Sequence, residues 1–168
     1  MDRCTLRSII KMNYREVTPD DMPAIFDVRI RTWHNPNGKE ELECMGITQR
    51  SVREMLKSFH RGWLCETEGE IIGFAIGNKE TAEMWVIAVL KEFEGKGIGG
   101  TLLTMIEDWL ASEGIKESWL TTYPTEGTRA IGFYHHQGWE RWKLQDGNLY
   151  MKKNIEQDTE VKNQPKSE

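Results

Sequence analysis

Four glycines fall within six residues, Gly95-Lys96-Gly97-Ile98-Gly99-Gly100. Before them lies an apolar run rich in strand formers, Ala82 to Leu90. After them Ile98, Leu102, Leu103, Ile106, Trp109 and Leu110 recur with helical period until Gly114. A strand that turns into an amphipathic helix through such a loop leaves the first helical N–H groups unpaired and pointing outward. Glycine lets that backbone approach an anion closely, so the segment is a candidate phosphate cradle at the positive end of a helix dipole. Gly95-x-Gly97-x-x-Gly100 satisfies the dinucleotide fingerprint literally. However, Lys91 to Glu94 intervene after the apolar run, and the next strand ends in Thr121-Thr122 with no acidic residue to grip a ribose. The repeated βαβ units of a doubly wound fold are missing too. A P-loop is also excluded, because Thr101, not Lys-Ser/Thr, follows Gly100.

The rest of the chain sets the fold class. Tyr14 to Val17 reads as a strand, and Thr18-Pro19-Asp20-Asp21 as a helix start. That helix takes an apolar stripe of Met22, Ile25, Phe26, Ile30 and Trp33 and is broken at Asn35-Pro36-Asn37-Gly38. A second helix starts near Thr48, with Val52, Met55, Leu56 and Phe59 on one face. Trp63 to Thr67 and Ile71 to Gly77 flank a hairpin turn at Glu68-Gly69-Glu70. Beyond the glycine loop and its helix come a strand at Ser118 to Tyr123 and a short helix at Thr128 to Gln137. A last hairpin, Trp139 to Leu144 and Asn148 to Lys152, turns at Asp146-Gly147. The order β α α β β β α β α β β contains one βαβ crossover among antiparallel neighbours. We therefore expect an α+β fold with a mixed, mostly antiparallel sheet of about seven strands and about four helices.

The chain's 168 residues suit one domain. Residues 1–12 read as a short N-terminal extension, 13–153 as the domain and 154–168 as a disordered C-terminal tail. A net charge of −5 removes the usual electrostatic reason to expect nucleic acid, and no apolar run approaches a membrane span. Cys4, Cys44 and Cys65 are widely spaced, with no CxxC and no Cys/His cluster. Neither a disulfide framework nor a metal is expected. With no apolar stretch at the N-terminus, the expected location is cytoplasmic.

The loop resembles the acetyl-CoA loop of the GNAT superfamily of N-acetyltransferases, Gln/Arg-x-x-Gly-x-Gly/Ala after a valine and an aromatic. Val89-Leu90-Lys91-Glu92-Phe93-Glu94-Gly95-Lys96-Gly97-Ile98-Gly99 matches it except that Glu94 stands where Arg or Gln is usual. A carboxylate beside a pyrophosphate is unfavourable unless it points away. Independently, Ala130-Ile131-Gly132-Phe133-Tyr134-His135-His136-Gln137-Gly138-Trp139 resembles the family's late helix, A-x-x-[FL]-Y-x-x-x-G-[FW]. Gly127 stands there where Asn is common.

The resemblance implies acetyl-CoA as co-substrate and a small-molecule or peptide amine as acceptor, and leaves room for a homodimer. It implies cofactor contacts along Ile87, Ala88 and Val89 and through Glu94, Gly95, Lys96, Gly97, Ile98, Gly99 and Gly100. Amine acetylation from a thioester needs a neutral amine, a donor to the tetrahedral oxyanion and an acid for the departing thiolate. By resemblance Tyr134 supplies the acid at the sulfur, and the Val89 N–H supplies the oxyanion donor where two parallel strands splay. Glu83 matches the position of a family general base. It lies six residues before Val89, which regular strand alternation places on one face. His34 is the alternative base, acting through a water. Trp33, His34 and Glu83 are the expected acceptor-side residues, with Glu40, Glu41 and Glu43 nearby. Those acids fit either a cationic acceptor or a solvated charge run. The competing function is a catalytically silent module that binds or senses acyl-CoA.

Overall fold

The computed structural model describes residues 11–32, 38–125 and 129–157. The strands are β1 (Asn13–Glu16), β2 (His60–Thr67), β3 (Glu70–Asn78), β4 (Glu83–Val89), β5 (Glu117–Thr122), β6 (Glu140–Gln145) and β7 (Asn148–Asn154), with β-branched and aromatic residues frequent in the central β3 and β4. They make one sheet in the order β1-β2-β3-β4-β5-β7-β6. Every neighbouring pair is antiparallel except β4 and β5, which run parallel across the crossover. The helices are α1 (Met22–Arg31), α2 (Lys39–Cys44), α3 (Gln49–Leu56), α4 (Ile98–Ser112) and α5 (Arg129–His136), with short 3-10 turns at Pro19–Asp21 and Lys91–Phe93. This is the expected mixed α+β class. Helix α4 crosses β2, β3 and β4 on one face, while α1 and α3 pack on the other. The core between these layers is built from Ile25, Leu64, Ile72, Ile76, Leu102, Ile106 and Leu110, all nearly fully buried.

Local chemistry explains most boundaries. Thr48 caps α3: its Oγ1 accepts from the Ser51 N–H at 3.1 Å, and Ser51 Oγ accepts from the Thr48 N–H at 2.9 Å. Four expectations need correction. The buried stripe of α1 is Met22, Ile25 and Val28, whereas Ile30 is 42% exposed because it lies on the far side of the helix. Phe59 lies beyond the end of α3 and is also largely exposed. Helix α2 has no counterpart in the sequence reading: its six residues bury only Leu42, too few for a period to show. Strand β2 starts at His60, three residues before Trp63.

At the C-terminal end, β7 runs to Asn154, and the buried Ile155 donates its N–H to the Lys116 carbonyl at 2.8 Å. No helix among the described residues is long and apolar enough to cross a membrane.

Candidate active site

The parallel strands β4 and β5 are pinned at one end only. Their single register pair is Glu83 with Trp119. There the Trp119 N–H and the Ser118 hydroxyl both donate to the Ala82 carbonyl, and the Trp119 indole N–H donates to the Thr81 carbonyl at 2.7 Å. Beyond that point the strands splay, and the gap opens into a cavity of about 690 Å³ that runs from α1 to the start of α4. Ile87, Ala88, Val89, Glu94, Gly95, Gly97, Ile98, Gly99, Gly100 and Tyr134 all line it. Lys96 is exposed and lies outside the lining. Trp33, His34 and Gly127 lie outside the described residues.

Register decides which backbone groups face the gap. The Leu90 N–H donates to the Ile72 carbonyl at 2.9 Å, on the β3 side. N–H groups of successive residues in a strand point to opposite edges, so the Val89 N–H, opposite Gly73, turns away from β3. It points where β5 has already diverged.

The glycine turn has two pairs with different work. Gly95 and Gly97 have φ of 75° and 82°, a region that a side chain strains. Gly97 caps α4, whose first backbone bond runs from the Thr101 N–H to the Gly97 carbonyl. The N–H groups of Ile98, Gly99 and Gly100 are therefore open for an anion. Gly99 and Gly100 are small for another reason. A Cβ on Gly99 would lie 3.3 Å from the Phe133 ring, and one on Gly100 would lie 3.0 Å from Gln137 Nε2. They let α4 and α5 approach rather than an anion.

Tyr134 sits on α5, edge-on to Trp139 with ring centroids 6.3 Å apart, and is buried. Burial pushes its phenol well above the ordinary tyrosine value, so it keeps its proton.

Glu83 departs from expectation. Between Met84 and Val86 strand β4 carries a bulge, opposite the step from Ile76 to Gly77. Gly73, paired with Val89, faces Ile98 of α4, and Gly77, paired with Met84, faces Ile106 and Trp109 of α4. The extra residue reverses the alternation, so Glu83 points to the face opposite the Val89 side chain. It also does not line the cavity. Six residues of strand put it about 20 Å from Val89. Burial raises its carboxyl pKa. Glu40, Glu41 and Glu43 are solvent-exposed on α2, the solvated alternative. No cluster able to hold a metal occurs among the described residues.

Two arginines escaped the sequence reading. Arg129, at the start of α5, lies 3.4 Å from Glu94 and beside Gly95. It draws to itself the carboxylate that breaks the loop pattern; the signal was its place just before Ala130, outside the recognised motif. Arg29 of α1 lines the cavity with its Nη1 buried and without a hydrogen-bond partner, and burial lowers its pKa.

The model of the acetyltransferase (GNAT) family matches residues 22–139, from the start of α1 to the end of the Tyr134 motif. The chain belongs to the GNAT acetyltransferase family. Curated GNAT relatives include an uncharacterized N-acetyltransferase of Methanocaldococcus jannaschii, 32% identical over 153 residues that cover 84% of this chain and 66% of the relative. Another, from Chlorobaculum tepidum, is also uncharacterized and is 30% identical over 90 residues, 52% of this chain and 58% of the relative. The matches thus span somewhat under two thirds of these relatives' lengths. The GNAT fold itself recurs in the PaiA N-acetyltransferase of Thermoplasma acidophilum in complex with coenzyme A. Its TM-score is 0.76 at 18% identity, covering 86% of this chain and 99% of that one. It recurs also in the ribosomal-protein-S18-alanine N-acetyltransferase of Escherichia coli, with a TM-score of 0.69 at 19% identity over 91% and 99% of the two chains.

Proposed function

We propose that the protein is an acetyl-CoA-dependent N-acetyltransferase that acts on a primary amine of a small molecule or peptide by direct attack in a ternary complex. One observation supports this reading: Val89, Tyr134 and the first turn of α4 all line one cavity. In this reading the α4 N-terminus and the Gly95–Gly97 turn hold the CoA phosphates, and the thioester lies in the gap between β4 and β5.

A neutral amine attacks the thioester carbon, a C–N bond forms and the carbonyl oxygen becomes an oxyanion that accepts from the Val89 N–H. The C–S bond then breaks, the sulfur keeps the electron pair and leaves as a thiolate that takes its proton from solvent, and the nitrogen sheds its proton to water. Tyr134 donates toward that sulfur. With its pKa raised by burial, full transfer to a thiolate whose pKa is near 8.5 is uphill. Its contribution is therefore a hydrogen bond to developing charge, at the lower end of the usual range for a general acid. Glu83, distant and turned away, is not assigned the base; the amine enters neutral and water takes its proton.

Thiol release from acetyl-CoA with a panel of primary amines, run on wild type and Tyr134→Phe, tests the reading. The wild type should release thiol only when an amine is present. Tyr134→Phe should bind CoA unchanged while kcat falls about 100-fold, or about 3 kcal/mol of transition-state stabilisation. An unchanged kcat in a stable Tyr134→Phe protein would remove the phenol from the mechanism. CoA binding with no release across the panel would favour the silent acyl-CoA-binding module.

A further inference from the structure

Helix α1 carries one residue that its amphipathic pattern does not explain. At 100° per residue, Arg29 falls about 40° from Ile25 and about 20° from Met22, within the stripe that those buried side chains form. Three other arginines show the usual pairing: Arg15 with Asp21, Arg31 with Asp27 and Arg61 with Glu16. Arg29 has a buried Nη1 with no hydrogen-bond partner. Among the described residues, the Tyr123 phenol acts on it and lines the same cavity. A half-buried guanidinium stays charged, so the α1 end of the cavity holds a permanent positive charge. The same cavity has an apolar wall of Phe26, Leu42, Met45, Ile47 and Val52, with Thr32 and Tyr123 as polar lining residues. Buried donors are nearly always met by an acceptor, and the planar guanidinium fork matches a carboxylate. The acids of α2 do not meet this need, since Glu40, Glu41 and Glu43 are exposed to solvent.

We infer that Arg29 binds a carboxylate of the acceptor, so that the substrate is an amine bearing a carboxylate and an apolar group, the chemistry of an apolar amino acid. The inference rests on reading the cavity as an acetyltransferase site. The carboxylate supplies the missing acceptor, the apolar wall receives the side chain, and the amine faces the gap between β4 and β5. It replaces the cationic acceptor that the α2 acids suggested in the sequence. A dicarboxylic acyl group on CoA would offer the same carboxylate from the other substrate, and the test separates the two.

Leucine, methionine and phenylalanine, each beside its amide and its decarboxylated amine, are titrated calorimetrically into the CoA complex of the full chain. Thiol release from acetyl-CoA is followed in parallel. At least one acid should bind about 10- to 100-fold more tightly than its amide, the worth of a charge-assisted pair. Arg29→Met should abolish that ratio and raise the ligand-free melting temperature by about 2 °C, because a half-buried charge with an unpartnered Nη1 is removed. Arg29→Lys, which keeps the charge without the fork, should retain part of the ratio and serves if the methionine variant does not fold. Equal binding of acids and amides by a CoA-binding wild type overturns the inference while leaving acetyl transfer intact. A preference that survives in Arg29→Met overturns it as well. Tighter binding of succinyl-CoA than acetyl-CoA, lost in Arg29→Met without any preference among amines, would reassign the arginine to the acyl group. Failure to bind CoA at all would instead overturn the acetyltransferase reading beneath it.

Discussion

The Asp21 carboxylate accepts two hydrogen bonds from Arg15, at 2.8 Å each, and one from the Thr18 N–H at 2.7 Å. Hydrogen bonding to the Arg15 guanidinium holds its pKa at about 2, against about 4 in an unfolded chain. A carboxyl whose pKa is depressed by folding stabilises the protein above its unfolded value, and that stability is lost as pH falls through the folded value. Asp21 should therefore contribute about 1–2 kcal/mol at neutral pH, reduced for the partial exposure of Arg15. Asp21→Asn should lower the melting temperature by about 2–8 °C at pH 7 and by little near pH 2. Melting curves across that range check it, and an equal loss at both ends would show that the carboxylate's charge is not the cause. At this scale the sequence was informative where a residue sat inside a motif. Tyr134 and the glycine turn were legible because their spacing is specific. Arg29 and Arg129 were not, because an arginine carries no period or motif until its neighbours in space are known.

Elements were legible where apolar periodicity ran long. The stripe of α4 and the hairpins around Gly69 and Gly147 could be read directly, and the six-residue α2 could not. The bulge in β4 was hidden for a physical reason. Met84 to Val89 is apolar without interruption, so no polar residue marks where alternation reverses, and Glu83 was assigned to the wrong face. Glu107 was equally hidden. It lies outside the apolar stripe read for α4, yet it is buried and accepts from the Trp139 indole N–H at 2.9 Å and from Lys153 at 3.0 and 3.1 Å. Lys153 also donates to the Gln137 carbonyl just past α5 at 2.8 Å. One carboxylate thus ties α4 to β7 and to the end of the helix that carries Tyr134. Glu107→Ala leaves a buried indole N–H and a half-buried ammonium without acceptors and should cost about 2–4 kcal/mol. Glu107→Gln, which keeps an acceptor for the indole, should cost less. Denaturant unfolding of the two variants checks the order, and equal losses would mean that only shape matters at this position.

Over the whole molecule, the order of elements along the chain and the crossover were legible in the sequence, and the structure adds the strand order from which the cavity follows. A parallel pair amid antiparallel neighbours, held at Glu83 and Trp119 and free beyond, leaves a gap beside the N-terminus of α4. What the sequence lacked was the depth of that gap and the charge at its far end, which depend on side chains from five helices and four strands. If the gap is an acyl-CoA site, ligand held only by the folded state must stabilise it by mass action. The most direct measurement is the melting temperature of wild type and Gly97→Val across a range of acetyl-CoA concentrations. At about 100 times the dissociation constant the ligand should add about 2.7 kcal/mol, a rise of roughly 5–11 °C in the wild type. Gly97→Val should show no rise, because valine does not tolerate the φ of 82° that opens the helix N-terminus. A wild-type melting temperature that stays flat up to millimolar acetyl-CoA, in a protein that unfolds cooperatively, would contradict the assignment of the cavity.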